Sequence, residues 1–211
     1  MPTDADIGNM ALSRLGTRAT IADLTENSTE ARVLNTWYAT VRDDLLGQID
    51  WNFARVRQAL AASGTPPARW SYSYAYPSDA LKVWQIDLGT TIWYAGEPMA
   101  LFEIASDGTN RLLYTNESTV TAVFSQRVTD PNRFTAAFTL AFADQLAARV
   151  AYPITQKADL ASALQRVARD GLEQAMCDAA NEQVTNDRDR NAESITVRGY
   201  DYTFDDYRRP V

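Results

Sequence analysis

"RWSYSYAYPSDALKVWQID", residues 69–87, is where the chain stops reading as helix. Trp70, Tyr72, Tyr74 and Tyr76 recur at every second position, with Ser71, Ser73 and Ala75 between them. That period puts the four rings on one face of an extended strand and the small residues on the other. Pro77 ends the strand, and Ser78 or Asp79 is placed to cap a single helical turn before the next strand begins.

On the C-terminal side the same signal continues to residue 128. Short β-favouring runs cover 70–76, 82–86, 91–94, 100–104, 111–114 and 119–128. Between them lie turn-forming stretches at 87–89, 96–98, 107–110 and 116–118, the chemistry expected of hairpins. The stretch 64–128 is therefore expected to form a small antiparallel sandwich or barrel. "SDGTN", residues 106–110, has the flavour of a calcium loop but lacks the spaced ligands and terminal glutamate of an EF-hand, and reads as a turn.

Helical period flanks this module on both sides. Ile7, Met10 or Ala11, and Leu15 predict a short helix over 4–15, stopped by Gly16, with Ile21 and Leu24 as apolar pegs in the connection. Asn27, with Glu30 three residues on, is expected to cap the next helix. Ala31, Leu34, Tyr38, Val41, Leu45 and Ile49 then mark one face, the cleanest amphipathic pattern in the chain, while Arg32, Arg42, Asp43 and Asp44 read as its solvated face. Trp51 and Phe53 fit a plug sealing the base of a bundle. Beyond the module, Asp130 is expected to cap a helix with Pro131 at its first position and Phe134, Ala137, Ala141 and Val150 on an alanine-rich face, broken at Pro153. A last helix over 157–183 would turn Leu160, Leu164, Val167, Leu172, Ala175 and Ala179 inward. The fold class is thus α+β: two N-terminal and two C-terminal helices forming a bundle from 1–63 and 129–185, a β-rich insertion at 64–128, and an extended tail at 186–211.

Composition narrows the chemistry. The 211 residues contain no histidine, which removes Ser-His-Asp and Cys-His arrangements, imidazole metal ligands and the commonest base near neutral pH. Lys82 and Lys157 are the two lysines among 20 basic residues; the rest are arginines, whose planar forks suit bidentate contacts at protein interfaces. The net charge is −7, and each of the four stretches is slightly acidic, so no basic stripe for tight duplex binding is visible. Cys177 is expected to be a small buried residue. No apolar run reaches the length of a membrane span and the N-terminus lacks a basic n-region, so cytoplasmic synthesis without a membrane is expected. No catalytic, cofactor or metal residues are assigned.

The tail begins "NDRDRNAES", without apolar periodicity, and is expected to be flexible there. Tyr200, Tyr202 and Phe204 then alternate with Asp201, Thr203 and Asp205 before Tyr207 and Arg208-Arg209. This segment suits either an edge strand within its own chain or an anchor supplied to a neighbouring protein, with the aromatics and arginines as hot-spot residues. The second is preferred.

"NMALSRLG", "IADL", the capped helix, "WNFA", "YAYPSDALKVWQI", "VTDPNRF" and "LAARVAYPIT" succeed one another in an order that resembles the tail tubular protein A family, the head-to-tail adaptors of short-tailed phages. The resemblance runs from about residue 8 to 183. It implies a four-helix bundle with an inserted β module, a dodecameric ring between portal and tail nozzle in the neck of the virion, and a lumen through which genomic DNA leaves without specific binding. On that reading the rings of Trp70, Tyr72, Tyr74 and Tyr76 pack the β module and touch the neighbouring subunit, while Tyr200, Tyr202, Phe204, Tyr207, Arg208 and Arg209 meet portal or neighbour. The alternative is a glycan-binding or polysaccharide-cleaving module, with aromatic faces stacking on sugars and carboxylates drawn from Asp79, Glu97, Glu103 and Asp107.

Overall fold

In the computed structural model, which describes residues 2–87 and 100–182, helices formed by the two ends of the chain share one core. Helix α1 (Asp4–Arg14) starts at Thr3, whose hydroxyl accepts from the Asp6 amide while the Asp6 carboxylate accepts from the Thr3 amide, a reciprocal capping box. It stops before Gly16, at φ 70°. The connection to the next helix is pinned by the Asn9 side chain, which donates to the Ile21 carbonyl at 2.9 Å and accepts from its amide at 2.8 Å. Ile21 is thereby held against Gly8, where a Cβ would meet its Cδ1 at 3.1 Å.

Helix α2 (Thr29–Gln48) buries Ala31, Leu34, Tyr38, Val41 and Leu45, and Ile49 follows at its C-cap. Its cap is Ser28, whose hydroxyl accepts from the Ala31 amide, and not Asn27. The expected solvated face is solvated only at Arg32 and Asp44. Arg42 and Asp43 are half-buried, and Asp43 also receives Arg127 at 2.9 Å, tying α2 to the chain that leaves the sheets.

The expected helix start at Asp130 is instead a 3-10 turn, Pro131–Arg133, with Asp130 accepting from the Asn132 amide. Helix α3 (Ala136–Thr155) begins afresh at Thr135, whose hydroxyl accepts from the Phe138 amide. Pro153 does not break α3 where the sequence suggested. It sits in the last turn, exposed, and the helix ends at Gln156 in the left-handed region, φ 55°. Helix α4 (Ala158–Asn181) buries Ala161, Leu164, Ala168, Ala175 and Ala179. Val167, expected inward, is half exposed, and Cys177, expected buried, is exposed. The seam is built from alanines facing the alanines of α3. Close approach of the backbones decides which side of α4 turns inward, and the larger Val167 is left outside. Helix α3 packs against each of α1, α2 and α4.

Among the described residues, six strands form two antiparallel three-stranded sheets that do not close into a barrel. One has the order β1 (Arg55–Ala59), β6 (Thr121–Gln126), β3 (Ala80–Asp87); the other β2 (Tyr72–Ala75), β5 (Arg111–Thr115), β4 (Phe102–Ser106). Strand β1 lies upstream of residue 64, so the sheets begin earlier than the expected insertion. The 107–110 turn joins the β4–β5 hairpin, as its composition predicts. The 116–118 turn does not make a hairpin, since β5 and β6 belong to different sheets. Residues 78–79 form a reverse turn closed from the Ala80 amide to the Pro77 carbonyl, not a helical turn. Val83, Ile86 and Phe124 from one sheet meet Tyr74 and Leu113 from the other in a second core. The strand expected at 91–94 and the turns at 87–89 and 96–98 lie wholly or partly outside the described residues.

Trp51 and Phe53 lie in a turn closed from the Ala54 amide to the Trp51 carbonyl at 3.0 Å. Trp51 is 2% exposed, donates Nε1–H to the Leu45 carbonyl at 3.0 Å and meets Phe138 edge-on at 5.1 Å. Phe53, Phe134, Phe138, Phe142 and Tyr38 continue the ring contacts toward α1.

Candidate interaction surface

Strand β2 presents its aromatics unevenly. Tyr74 is 4% exposed and its hydroxyl donates to the Glu117 carbonyl at 2.9 Å; burial, first, pushes its phenol pKa up. Tyr72, two residues away, is 41% exposed. Trp70 is half-buried, with Nε1–H donating to Glu103 at 2.7 Å and the Arg69 guanidinium 5.5 Å from its ring. Tyr76 is half-buried under the Arg111 guanidinium, 4.0 Å from the ring centre. Ser73, on the face of small residues, is also buried, because residues 61–63 fold back along β2: the Ser63 amide donates to the Ser73 carbonyl and the Ala75 amide to the Ala61 carbonyl, both at 2.9 Å. Strict two-residue alternation therefore fails where a second segment covers the strand. Of the four rings, Tyr74 alone is fully core, and Tyr72 offers the largest free aromatic surface.

The described candidate carboxylates each hold a separate partner. Asp79 accepts from the Gln126 amide group at 2.5 Å, Glu103 from Trp70, and Asp107 from the Thr109 and Asn110 amides at 2.9 and 2.7 Å. The backbone donors of Asn110 and Thr109 hold the Asp107 pKa below the usual carboxylate value. A general acid needs the opposite shift, and a glycosidase pair needs two carboxyls facing one bond. Glu97 lies outside the described residues, as do Tyr200, Tyr202, Phe204, Tyr207, Arg208 and Arg209. "SDGTN" is an Asx-type turn around Gly108 at φ 94°. Among the described residues no three His, Cys, Asp or Glu side chains are grouped to hold a metal ion, and no helix is long and apolar enough to cross a membrane.

An open groove of about 790 Å³ between α1 and the start of α3 has no counterpart in any sequence motif. Its walls are Pro2, Met10, Phe134, Ala136 and Leu140, with Asp6, Asn9, Ser13 and Thr139 at the edges. Leu140 is 52% exposed. It also lines a smaller depression between α3 and α4, where Arg14 pairs with Asp144 at 2.8 Å beside Asp178. The available signal was that α3 is apolar around most of its circumference, more than one core contact can cover.

No protein-family model matches the chain, and no curated protein matches it in sequence.

Proposed function

We propose that this protein is a non-enzymatic virion component, a head-to-tail adaptor of the tail tubular protein A kind. Twelve copies form a ring beneath the portal, recruit the tail nozzle below and line the channel through which genomic DNA leaves. Assembly takes place in the host cytoplasm, and the finished protein resides in the virion neck. The four helices act as one bundle scaffold, and the sheets supply lateral contacts between neighbours. The tail residues Tyr200, Tyr202, Phe204, Tyr207, Arg208 and Arg209 anchor portal or neighbour.

The observation that carries this reading is the joint core of α1 and α2 with α3 and α4 across an inserted pair of sheets, the arrangement the motif resemblance implies. Arginine-rich, slightly acidic composition supports it too, since guanidinium forks serve protein contacts and a mildly negative wall adds little friction to passing DNA. The test is native mass spectrometry of the purified chain with purified portal protein. Rings and ring–portal complexes are expected, and a chain that forms neither is not this adaptor. The engagement of the carboxylates weighs against the glycan reading, because Asp79, Glu103 and Asp107 each hold a separate local contact.

A further inference from the structure

The groove between α1 and α3 lies at the same end of the molecule as the exit of α4. The Asn52 side chain donates to Glu182, the last described residue, at 3.2 Å. The ring of the adjacent Phe53 lies 5.9 Å from that of Phe134, which forms part of the groove wall. From there 29 residues continue to Val211. The first 17, residues 183–199, have no sustained apolar pattern, and a random-coil linker of that length spans about 20–25 Å on average. The terminal stretch "YDYTFDDYRRPV" brings three aromatics at alternate positions with Asp201, Asp205 and Asp206 among them, then Tyr207 and two adjacent arginines at its end. The groove offers apolar walls for the aromatics. For the arginines it offers Asp6 on its rim and Asp178 across Leu140, while Asp144 beside them is already held by Arg14 at 2.8 Å. Asp6 is kept ionised by hydrogen bonds from the Thr3 amide and hydroxyl.

We infer that, in the unassembled subunit, residues 200–211 dock in cis into the apolar groove formed by Pro2, Met10, Phe134, Ala136 and Leu140. Aromatic side chains fill the groove and Arg208-Arg209 reach its acidic margin. Linkage through the short connector supplies an effective concentration in the millimolar range, so a weak contact suffices to keep the groove occupied. The segment is thereby held on its own chain until a partner outcompetes that contact. Docking of this kind is a property of the free chain and does not depend on portal binding.

The full-length chain tests it. In a Cys177→Ser background, Ser13→Cys on the groove edge is paired with Thr203→Cys, and a control chain pairs Thr203→Cys with Arg166→Cys, an exposed site on α4. Under mild oxidation the groove pair is expected to form an intrachain disulfide at least tenfold faster than the control pair. Adding Leu140→Asp, or separately Arg208→Glu with Arg209→Glu, should remove most of that preference while circular dichroism stays unchanged. The double arginine change lies outside the described core, so it reads docking even if the Leu140 variant is poorly folded. Equal rates for the two pairs, a preference untouched by both sets of changes, or a disulfide that joins two chains would each overturn the inference.

Discussion

Two side chains set the stability of the helical core in ways a denaturation experiment can separate. Trp51 is buried to 2%, holds the Leu45 carbonyl and joins a run of rings from Phe53 to Phe142. Trp51→Ala removes ring volume that the surrounding side chains cannot refill, and should cost about 3–5 kcal/mol in urea unfolding. A loss below about 1 kcal/mol would mean that the rings are not packed as described. Tyr38 works through its hydroxyl, which donates to Asp4 at 2.7 Å. Burial, then the Asp4 hydrogen bond and charge, raise its phenol pKa far above the ordinary value. The folded state therefore retains this proton where the unfolded chain releases it. The associated stability is complete below about pH 10 and declines as pH rises beyond it. Tyr38→Phe should lower stability at pH 7 by about 1–3 kcal/mol and flatten the alkaline decline between about pH 10 and 11, as followed by thermal unfolding. On the acid side Asp6, Asp23, Glu26 and Asp107 all have lowered values, so their contribution is present above the unfolded carboxylate range and disappears as pH falls below it.

Helix ends and inter-element ties define the next scale. Gln156 closes α3 in a left-handed conformation that costs a residue with a Cβ roughly 1 kcal/mol. Gln156→Gly should raise stability by about 0.5–1 kcal/mol, and a decrease would show that the Gln156 side chain makes a contact worth more than the strain. Asp43 accepts from Arg42 at 2.8 Å and from Arg127 at 2.9 Å, with Arg42 only 11% exposed along its side chain. Asp43→Ala leaves two guanidinium groups facing each other and should cost about 1–3 kcal/mol. Hydrogen exchange should rise first at the end of β6, where the tie to α2 is lost. At this scale the sequence was legible where side chains were large and regularly spaced. The stripe from Ala31 to Ile49 lies on the core face throughout. It was illegible where small residues decide: Ala168, not Val167, enters the α3–α4 seam, because backbone proximity outweighs the hydrophobicity of a single side chain. The start of α3 is equally hard to read, because Asp130-Pro131 does cap, but caps one 3-10 turn before Thr135 caps the helix proper.

At the scale of the molecule, the α+β class and the two-plus-two helix arrangement were legible, since the change from 3.6 to 2 in apolar period is strong at both borders. The pairing of β1 with β6 was not, because Arg55–Ala59 carries alternating polarity too short to distinguish from the turn before it. Of the candidate interaction residues, the sequence located the β2 rings but not the fold-back of 61–63 that covers Ser73, nor the groove, which exists only once α1 and α3 meet. Deleting residues 194–211 should leave the helical core intact by circular dichroism, since both clusters of core side chains lie within the described residues. The same deletion should weaken capture by portal at least tenfold in a pull-down with labelled protein; unaltered capture would exclude the tail as an anchor.

The union of the first two helices with the last two has a kinetic side. Arg14 meets Asp144, and Asn52 meets Glu182, each across 130 positions of the chain. During synthesis α1 and α2 emerge long before the segments that cover them, leaving the ring of Trp51 and the leucines of α2 wet until translation is almost finished. Such high contact order slows folding, since distant loops must close before the pairing is rewarded. The nascent chain is then most vulnerable to aggregation midway through its own production, and the sheets, whose partners are nearer in sequence, are the part able to fold while the ribosome is still at work.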